Sequence, residues 1–290
     1  MVQIFLKSFQ FILPSVVISF LKSIYFSFID LIYKNRLSNN IDLLNIGSHK
    51  RCFILGSGPS IKEINIEKLR GEPIIALNSF FLHPDFDKIF EIDNNNLYYL
   101  IAPIHGPQKE EEWVKWLKKI DKKTPSNVTM IIGLNYFKGN AKVLIKKHDL
   151  FEDKQLYYYY ALKNKTTSIK LKDLQITKPI LNCETSSLYA LIYACNMNFS
   201  DIYLVGMDHN YILYDNINDM RFFKNSELQK NEFQRIYGDK KLFYVYEYKR
   251  LHTTFLKYYQ INKFFKANIF DTSSKGLLKV YRKVKLHEIV

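Results

Sequence analysis

The sequence predicts an α/β fold in which a Rossmann-like, mostly parallel sheet carries helices on both faces. Short apolar runs of strand length recur along the chain, helix-like periodic segments lie between several of them, and the connections are short. A chain of 290 residues, 47% of them hydrophobic, is long enough to bury the core of one large domain.

The predicted strands are apolar runs rich in β-branched or aromatic residues. They cover residues 52–55, 73–78, 88–93, 127–134, 201–208 and 267–273. The predicted helices space their apolar residues by three or four positions. They cover residues 60–69, 109–123, 183–199 and 246–262. The Tyr- and Lys-rich segment 135–179 shows no pattern that favours either structure.

The chain divides into two parts by composition. A main domain at 50–290 follows a polar connector at 36–48, and the segment 1–36 precedes both. Within the main domain, residues 209–246 are polar, aromatic and irregular. Long irregular segments of this kind often cover binding sites, so we predict a small lid subdomain there.

The N-terminal segment 1–36 is rich in Phe, Ile and Leu, but charged residues interrupt it. Its longest uncharged run, 8–21, is shorter than the roughly 20 residues that span a bilayer. It lacks a small-residue cleavage site, so a secretory signal peptide fits poorly. We predict a pair of amphipathic helices, bent at Pro14, that lie on a membrane. The alternative is a helix packed against the protein's own core or in a homo-oligomer interface.

The net charge of +14 limits the classes of partner. Such a charge attracts anions, including nucleotides and anionic lipid surfaces. Because no common nucleic-acid-binding motif is present, we expect no nucleic-acid partner. The three cysteines, Cys52, Cys183 and Cys195, have spacings that match neither a zinc site nor a disulfide framework. They favour a reducing compartment.

Polar residues stand at the predicted strand ends. They are Ser57, Ser60, Asn78, Asp93, Asp208, Thr272 and Ser273. Open parallel sheets bind ligands in the crevice beyond the carboxyl ends of their strands. We therefore expect these side chains to converge on one binding site.

The turn Gly-Ser-Gly-Pro-Ser at 56–60 follows the first strand. Gly56 and Gly58 would let a ligand approach the backbone closely, and Ser60 could cap the next helix. The turn is neither a Walker motif, because no Gly-Lys-Ser/Thr follows, nor a dinucleotide fingerprint, because the third glycine is missing. A strand-to-helix corner without a ligand would use the same residues.

Two later segments carry the same kind of chemistry. Thr185, Ser186 and Ser187 open a helix, where hydroxyls and N–H groups can bind an anion or simply cap the helix. Tyr211 and Tyr214 follow the strand at 201–208, and their hydroxyls can donate to a phosphate.

Candidates for acid–base chemistry are residues that titrate near strand ends or beside the lid. They are His105, Asp208, His209, Glu247 and His252. A metal site has little support, because the one Asp-x-Asp pattern, Asp85 to Asp87, precedes a predicted strand instead of following one. No two histidines have ligand spacing, so we expect neither a metal nor a resident cofactor.

Two ordered blocks of the sequence resemble a known family. The block "FILGSGPSIKEINIEKLRGEPIIALNSFF" is similar to the opening of bacterial sialyltransferases of glycosyltransferase family 42. The block "ETSSLYALIYACNMNFSDIYLVGMDHNY" is similar to that family's Thr-Ser-Gly helix and the strand after it. Both blocks, with "YYLIAPIHGP" and the C-terminal tail, also resemble the related family of proteins like the 6-hydroxymethylpterin diphosphokinase MptE.

The resemblance implies a GT-A-like variant of the fold and a site for a cytidine nucleotide. Residues implied to line that site are Gly56, Ser57, Gly58, Asn78, Thr185, Ser186, Gly206 and Asp208. It implies that Tyr211 and Tyr214 contact the phosphate, and that a histidine, for which His252 is nearest in position, acts as the base. Ser57 stands where the family has Asn, and Tyr211 is shifted by one position.

The resemblance therefore implies an inverting, metal-independent glycosyltransferase. It would move sialic acid or a related nonulosonic acid from a CMP-activated donor to a glycan or glycolipid acceptor of the bacterial surface, such as lipooligosaccharide, capsule or O-antigen. We expect it to be cytoplasmic and peripheral on the inner face of the membrane. The alternatives are an MptE-like diphosphokinase that uses ATP and Mg²⁺, and an inactive membrane-docked scaffold of the same fold.

Overall fold

The computed structural model describes residues 14–47, 50–90, 96–106, 108–134, 140–162, 169–216, 218–224, 238 and 240–290. Its centre is an eight-stranded sheet in which all neighbouring strands are parallel. The strands are β1 Arg51–Leu55, β2 Ile74–Leu77, β3 Leu97–Ile101, β4 Thr129–Leu134, β5 Leu156–Tyr160, β6 Asp201–Val205, β7 Asn268–Asp271 and β8 Arg282–Lys283.

Six α-helices lie in the described part of the chain. They are α1 Ser15–Leu37, α2 Phe86–Phe90, α3 Glu110–Lys123, α4 Ala141–Lys147, α5 Ser186–Asn196 and α6 Lys240–Ile261. Single 3-10 turns cover Ser38–Leu43, Pro59–Glu63, Ile66–Leu69, Asn78–Leu82, Leu171–Leu174, Tyr211–Leu213 and Leu286–Glu288. The predicted α/β class with a parallel sheet is confirmed.

The strand order is β5-β4-β3-β2-β1-β6-β7-β8. The chain builds the sheet outward from β1 to β5 and then returns to add β6 on the other side of β1. The reversal lies between β1 and β6, where Leu55 is in register with Val205. Ligands of open parallel sheets bind at such a switch point.

The core has two layers because helices cover both faces of the sheet. On one face, Cys52 and Ile54 of β1 pack in the same cluster as α5 and as Tyr258 of α6. On the other face, Phe53 and Leu55 share a cluster with residues of α2, α3 and α4. Strands buried on both faces read as continuous apolar runs, and this is why their sequences predicted them.

The strand predicted at 88–93 is wrong over 88–90, and 91–93 lie outside the described residues. Residues 86–90 form α2, in which Phe86 and Phe90 are stacked one helical turn apart with ring centroids 4.2 Å apart. Helical spacing of the buried apolar residues prevailed over their strand propensity. The strand that joins β2 in the sheet is β3, which begins at Leu97.

Other predicted elements differ in extent. The predicted helix at 60–69 is two 3-10 turns, since Ile64 is extended and Asn65 caps the second turn by accepting from Glu67 N at 3.1 Å. In the unassigned segment 135–179, the structure forms α4 and the edge strand β5. The helix predicted at 246–262 already begins at Lys240, so 240–246 is helical.

Helix α1 begins directly after Pro14 and packs on the edge strand β5. Tyr33 stacks on Tyr160 with ring centroids 4.1 Å apart, and Leu37 is fully buried beside them. In the described part of the chain, no helix combines the length and apolarity that crossing a bilayer requires. The first helix of the predicted pair falls on 1–13, outside the described residues.

Candidate functional site

The two loops that leave β1 and β6 cross closely at the switch point. Gly56 N donates to the carbonyl of Val205 at 2.8 Å, and Gly58 N donates to that of Gly206 at 2.8 Å. A Cβ on Gly56 would lie 2.6 Å from the carbonyl oxygen of Gly206. The close approach that these glycines permit is therefore between two parts of the chain.

Asp208 joins the same two loops through its side chain. It is 2% exposed, and its Oδ2 accepts from Ser60 N at 2.9 Å. A Cβ on Gly58 would lie 2.2 Å from this oxygen. The other oxygen, Oδ1, has no hydrogen-bond partner among the described residues, and nor does the buried hydroxyl of Ser60.

Asn78 connects the ends of three neighbouring elements. Its Oδ1 accepts from Ala102 N, just beyond β3, and its Nδ2 donates to Ser186 Oγ at the start of α5, each at 2.8 Å. Its backbone has a φ of 50°, a conformation that Asn tolerates better than most residues. The structure therefore brings Asn78 into direct contact with Ser186, a residue that the resemblance places at the same site.

The start of α5 is held by side-chain hydrogen bonds. Thr185 Oγ1 and Ser187 Oγ are 2.8 Å apart, and Tyr258 OH donates to Ser187 Oγ at 2.7 Å. Thr185 occupies the N-cap position, but its side chain does not cap the helix. The first N–H groups of α5 thus keep their capacity to bind an anion.

His209 continues this chain of contacts into the core. Its Nε2 lies 3.2 Å from Tyr258 OH, and its ring meets Phe255 and Tyr258 edge to face. Burial, with a smaller contribution from the Arg250 charge, lowers the pKa of His209 to about 3. The imidazole is therefore neutral near pH 7 and orients Tyr258.

A polar cavity of about 220 Å³ opens at the switch point. The predicted site residues that line it are Gly56, Ser57, Asn78, Thr185, Ser186, Gly206, Asp208, His209 and Tyr211. Ser60 and Gly58 lie just behind, where Ser60 bonds to Asp208. Most of the side chains expected at one site are thus brought together by strand order.

Two arginines on the cavity wall were not predicted from the sequence. Arg221 and Arg250 both line the cavity, and the guanidinium of Arg250 lies over the ring of Tyr211, 5.5 Å from its centroid. Arg250 Nε also donates to the buried carboxylate of Glu247 at 3.0 Å. Only seven of the 42 basic residues are arginines, but nothing in the sequence around Arg221 or Arg250 indicates that these two reach the cavity.

The remaining predicted residues lie elsewhere. His252 is exposed on α6. It lines neither this cavity nor a second, larger cavity beyond the ends of β3, β4 and β5. Tyr214 is also outside both linings, and its OH accepts from Asn210 Nδ2 at 3.2 Å. Thr272 donates to the carbonyl of Leu204, and Ser273 Oγ accepts from Met207 N, so both support the loop after β6. Asp93 lies outside the described residues.

Part of the predicted lid is anchored to the glycine turn. Phe222 N donates to the carbonyl of Ser57 at 3.1 Å, and the Phe222 ring packs on Phe80 and His83. This contact brings Arg221 to the cavity. Much of the rest of the lid lies outside the described residues.

A second cavity, of about 620 Å³, lies beyond the carboxyl ends of β3, β4 and β5. It shares Glu184, Thr185 and Ser186 with the smaller cavity. The linings of the two cavities therefore meet at the start of α5.

The described residues contain no group of three or more His, Cys, Asp or Glu side chains placed to hold a metal ion. In the Asp-x-Asp pattern, Asp85 pairs with Lys88 and Asp87 with Lys123. Comparisons of the chain with protein-family models, with curated proteins and with solved structures found no significant match in any of the three.

Proposed function

We propose that this chain is an inverting glycosyltransferase that moves sialic acid, or a related nonulosonic acid, from a CMP-activated donor to a surface-glycan acceptor without a metal. One observation carries the proposal. Two arginines, the start of α5 and Tyr211 surround one small polar cavity at the switch point of a parallel sheet.

The cavity has the chemistry that a phosphate leaving group requires. Arg221 and Arg250 place two guanidinium groups on the cavity wall, and such groups bind phosphate oxygens in paired hydrogen bonds. Arg250 also pairs with the buried Glu247 carboxylate, so among the described residues Arg221 supplies the uncompensated part of the charge. The N–H groups that open α5 and the Tyr211 hydroxyl add neutral donors. With these donors CMP can leave from the anomeric carbon while its phosphate charge stays compensated.

The choice of CMP rests on the resemblance of two sequence blocks to family 42. The blocks supply the glycine turn, Asn78, Thr185 and Asp208, and these residues line or support the same cavity. The GT-A-like variant of the fold is part of this proposal, and the parallel sheet supports the broader Rossmann-like class.

We assign the general base to Glu184. Its carboxylate lies on the wall common to both cavities, 3.4 Å from Lys257 Nζ. It would accept the proton of an acceptor hydroxyl while the oxygen bonds to the anomeric carbon and the bond to the phosphate oxygen breaks. His252, the base implied by the resemblance, is exposed outside both linings.

We further propose that α1 holds the enzyme on the inner face of the bacterial cytoplasmic membrane. Val16, Phe20, Ile24 and Phe28 recur every four residues and are between 52% and 77% exposed. An apolar stripe of this kind fits the lipid interface. The net charge of +14 favours an anionic lipid surface over a second copy of this basic chain.

The deciding experiment measures binding of CMP, UDP, GDP and ATP–Mg²⁺ by calorimetry, and CMP release from CMP-sialic acid with and without EDTA. We expect CMP to bind most tightly and its release to continue in EDTA. Binding of ATP–Mg²⁺ without CMP would instead support a diphosphokinase. CMP binding without turnover of any CMP-nonulosonate would support an inactive scaffold.

A further inference from the structure

The larger cavity has its own recognition chemistry. Its volume of about 620 Å³ is typical of a small-molecule site. Aromatic and apolar walls, including Trp113, Tyr160 and Tyr189, alternate with planar polar side chains such as Asn140 and Asn182. The donors proposed for the phosphate line the smaller cavity, so the larger cavity is available to another part of the reaction.

Gln108 is the unusual residue of this lining. It is 8% exposed, yet neither Nε2 nor Oε1 has a hydrogen-bond partner in the part of the chain that the structure describes. Buried amides are normally paired, and each unpaired exception calls for an explanation. The group offers two donors and an acceptor, and a change of its side-chain torsions would bring them to a ligand in the cavity.

A sugar ring matches this amide. Adjacent hydroxyls of a pyranose each donate and accept, so one can accept from Nε2 while its neighbour donates to Oε1. The ring's carbon faces can pack against the aromatic walls. A ligand that satisfies Gln108 removes the cost of two unpaired buried polar atoms, which makes the residue selective for such a partner.

The location of the cavity favours the acceptor over the donor sugar. Tyr160 and Leu134 line it, and both belong to the cluster that α1 packs against through Tyr33 and Leu37. The helix whose apolar stripe faces outward is therefore next to this cavity. A glycan carried on a lipid would reach the cavity from the membrane surface.

We propose that the larger cavity is the subsite for the terminal sugar of a membrane-carried acceptor glycan, and that Gln108 is a specificity-determining residue of this subsite. The inference rests on the proposed function, because Glu184, on the shared wall, would then meet the acceptor hydroxyl. The acceptor sugar and the donor phosphate would occupy the two cavities on either side of Thr185 and Ser186.

The test is saturation-transfer NMR on the full chain with saturating CMP. The probes are the methyl glycosides of galactose, glucose and N-acetylglucosamine, with free N-acetylneuraminic acid as the donor-sugar probe. We expect at least one neutral glycoside to bind and Gln108→Leu to weaken it about tenfold, which is the loss expected from hydrogen bonds to a buried amide. Gln155→Leu, the same change on an exposed residue outside both linings, is the matched control.

The outcomes separate the inference from the proposed function. If Gln108→Leu fails to fold, the near-isosteric Gln108→Glu replaces it and should also weaken the glycoside. Binding of the neuraminic acid alone, binding unaffected by either variant, or no binding of any glycoside would each overturn the acceptor subsite. CMP affinity, measured on the same samples, tests the proposed function by itself.

Discussion

The carboxylate of Asp208 accepts a hydrogen bond from the backbone N–H of Ser60 at 2.9 Å. The bond joins the turn after β1 to the loop after β6 across the point where strand order reverses. It also explains Gly58, since a side chain there would collide with the same carboxylate oxygen. The glycine turn thus owes its composition to the way two loops of the protein meet.

Gly58→Ala should destabilise the protein by about 1–3 kcal/mol, which is the usual cost of forcing extra atoms into a packed site. The added Cβ would lie 2.2 Å from Asp208 Oδ2 and 2.7 Å from the carbonyl oxygen of Gly206. Urea unfolding measures the change. Gly106→Ala is the control, because nothing lies within 4 Å of its Cβ position. Equal midpoints for the two variants would contradict the close crossing of the loops.

Arg221→Gln should weaken CMP binding about tenfold or more and leave cytidine binding unchanged, because a hydrogen bond to a charged group contributes roughly 1.5–3 kcal/mol. Calorimetry with CMP and with cytidine isolates the contribution of the phosphate to the binding affinity. Arg70→Gln, exposed and outside both cavities, serves as the control. We do not choose Arg250, since its removal would leave the buried Glu247 carboxylate unpaired. Equal losses for CMP and cytidine would argue against an arginine–phosphate contact.

His209 should make the protein less stable as the pH falls. Its pKa is lowered to about 3 in the folded state, while the unfolded chain keeps a value near 6.5. Between about pH 6.5 and pH 3 the unfolded state binds the extra proton, so stability falls with pH at up to roughly 1.4 kcal/mol per pH unit. In the His209→Gln variant, the free energy of unfolding should therefore depend less steeply on pH.

Urea unfolding of wild type and His209→Gln between about pH 5 and pH 7 tests this linkage. The difference between the two slopes isolates His209 from the buried carboxylate of Asp271, whose pKa is raised, chiefly by burial. Parallel slopes would mean that His209 is not held neutral by its surroundings.

Glu184→Gln should lower the rate of sugar transfer by about 10²–10⁴, the range typical of a lost general base, without changing CMP affinity. Glu111→Gln, exposed on α3, is the matched control. His252→Ala should leave transfer unchanged. If His252→Ala abolishes transfer and Glu184→Gln does not, the base is the histidine implied by the resemblance.

Replacing Phe20 and Phe28 together by Glu should reduce binding to anionic lipid vesicles at least tenfold, since each phenylalanine contributes roughly 1.5–3 kcal/mol when buried. Both side chains are more than half exposed on α1, so the fold should survive, which circular dichroism can check. Leu171→Glu, which changes a half-exposed apolar residue away from α1, is the control. Vesicle binding that both variants retain would place the membrane contact elsewhere.

The strands were predictable where burial on both faces gives them an uninterrupted apolar sequence. Runs such as 52–55 and 202–205 are apolar throughout, because helices cover both faces of the sheet. The strand β5 was missed because Leu-Tyr-Tyr-Tyr-Tyr reads like the rest of a tyrosine-rich chain. Its strand character comes from pairing with β4 and from α1 packed beside it.

Like the strands, the residues of the candidate site were predictable only where the sequence around them carries a pattern. Asn78, Ser186 and Asp208 were predictable because each stands at an element end, and parallel strands bring such ends to one edge. Arg221 and Arg250 were not, because they reach the cavity through long-range contacts: Phe222 bonds to Ser57, and α6 packs on α5. Neither contact is indicated by the sequence around the two arginines.

The amino-acid sequence by itself determined the α/β class, most strands, the glycine turn and the polar strand ends, since these depend on local propensity and on burial that repeats along the chain. Only the tertiary structure decided that the glycines serve the crossing of two loops, that His209 is neutral, and that two arginines face the switch point. Those properties depend on distances between residues far apart in the chain, and hydrophobic pattern carries no information about them.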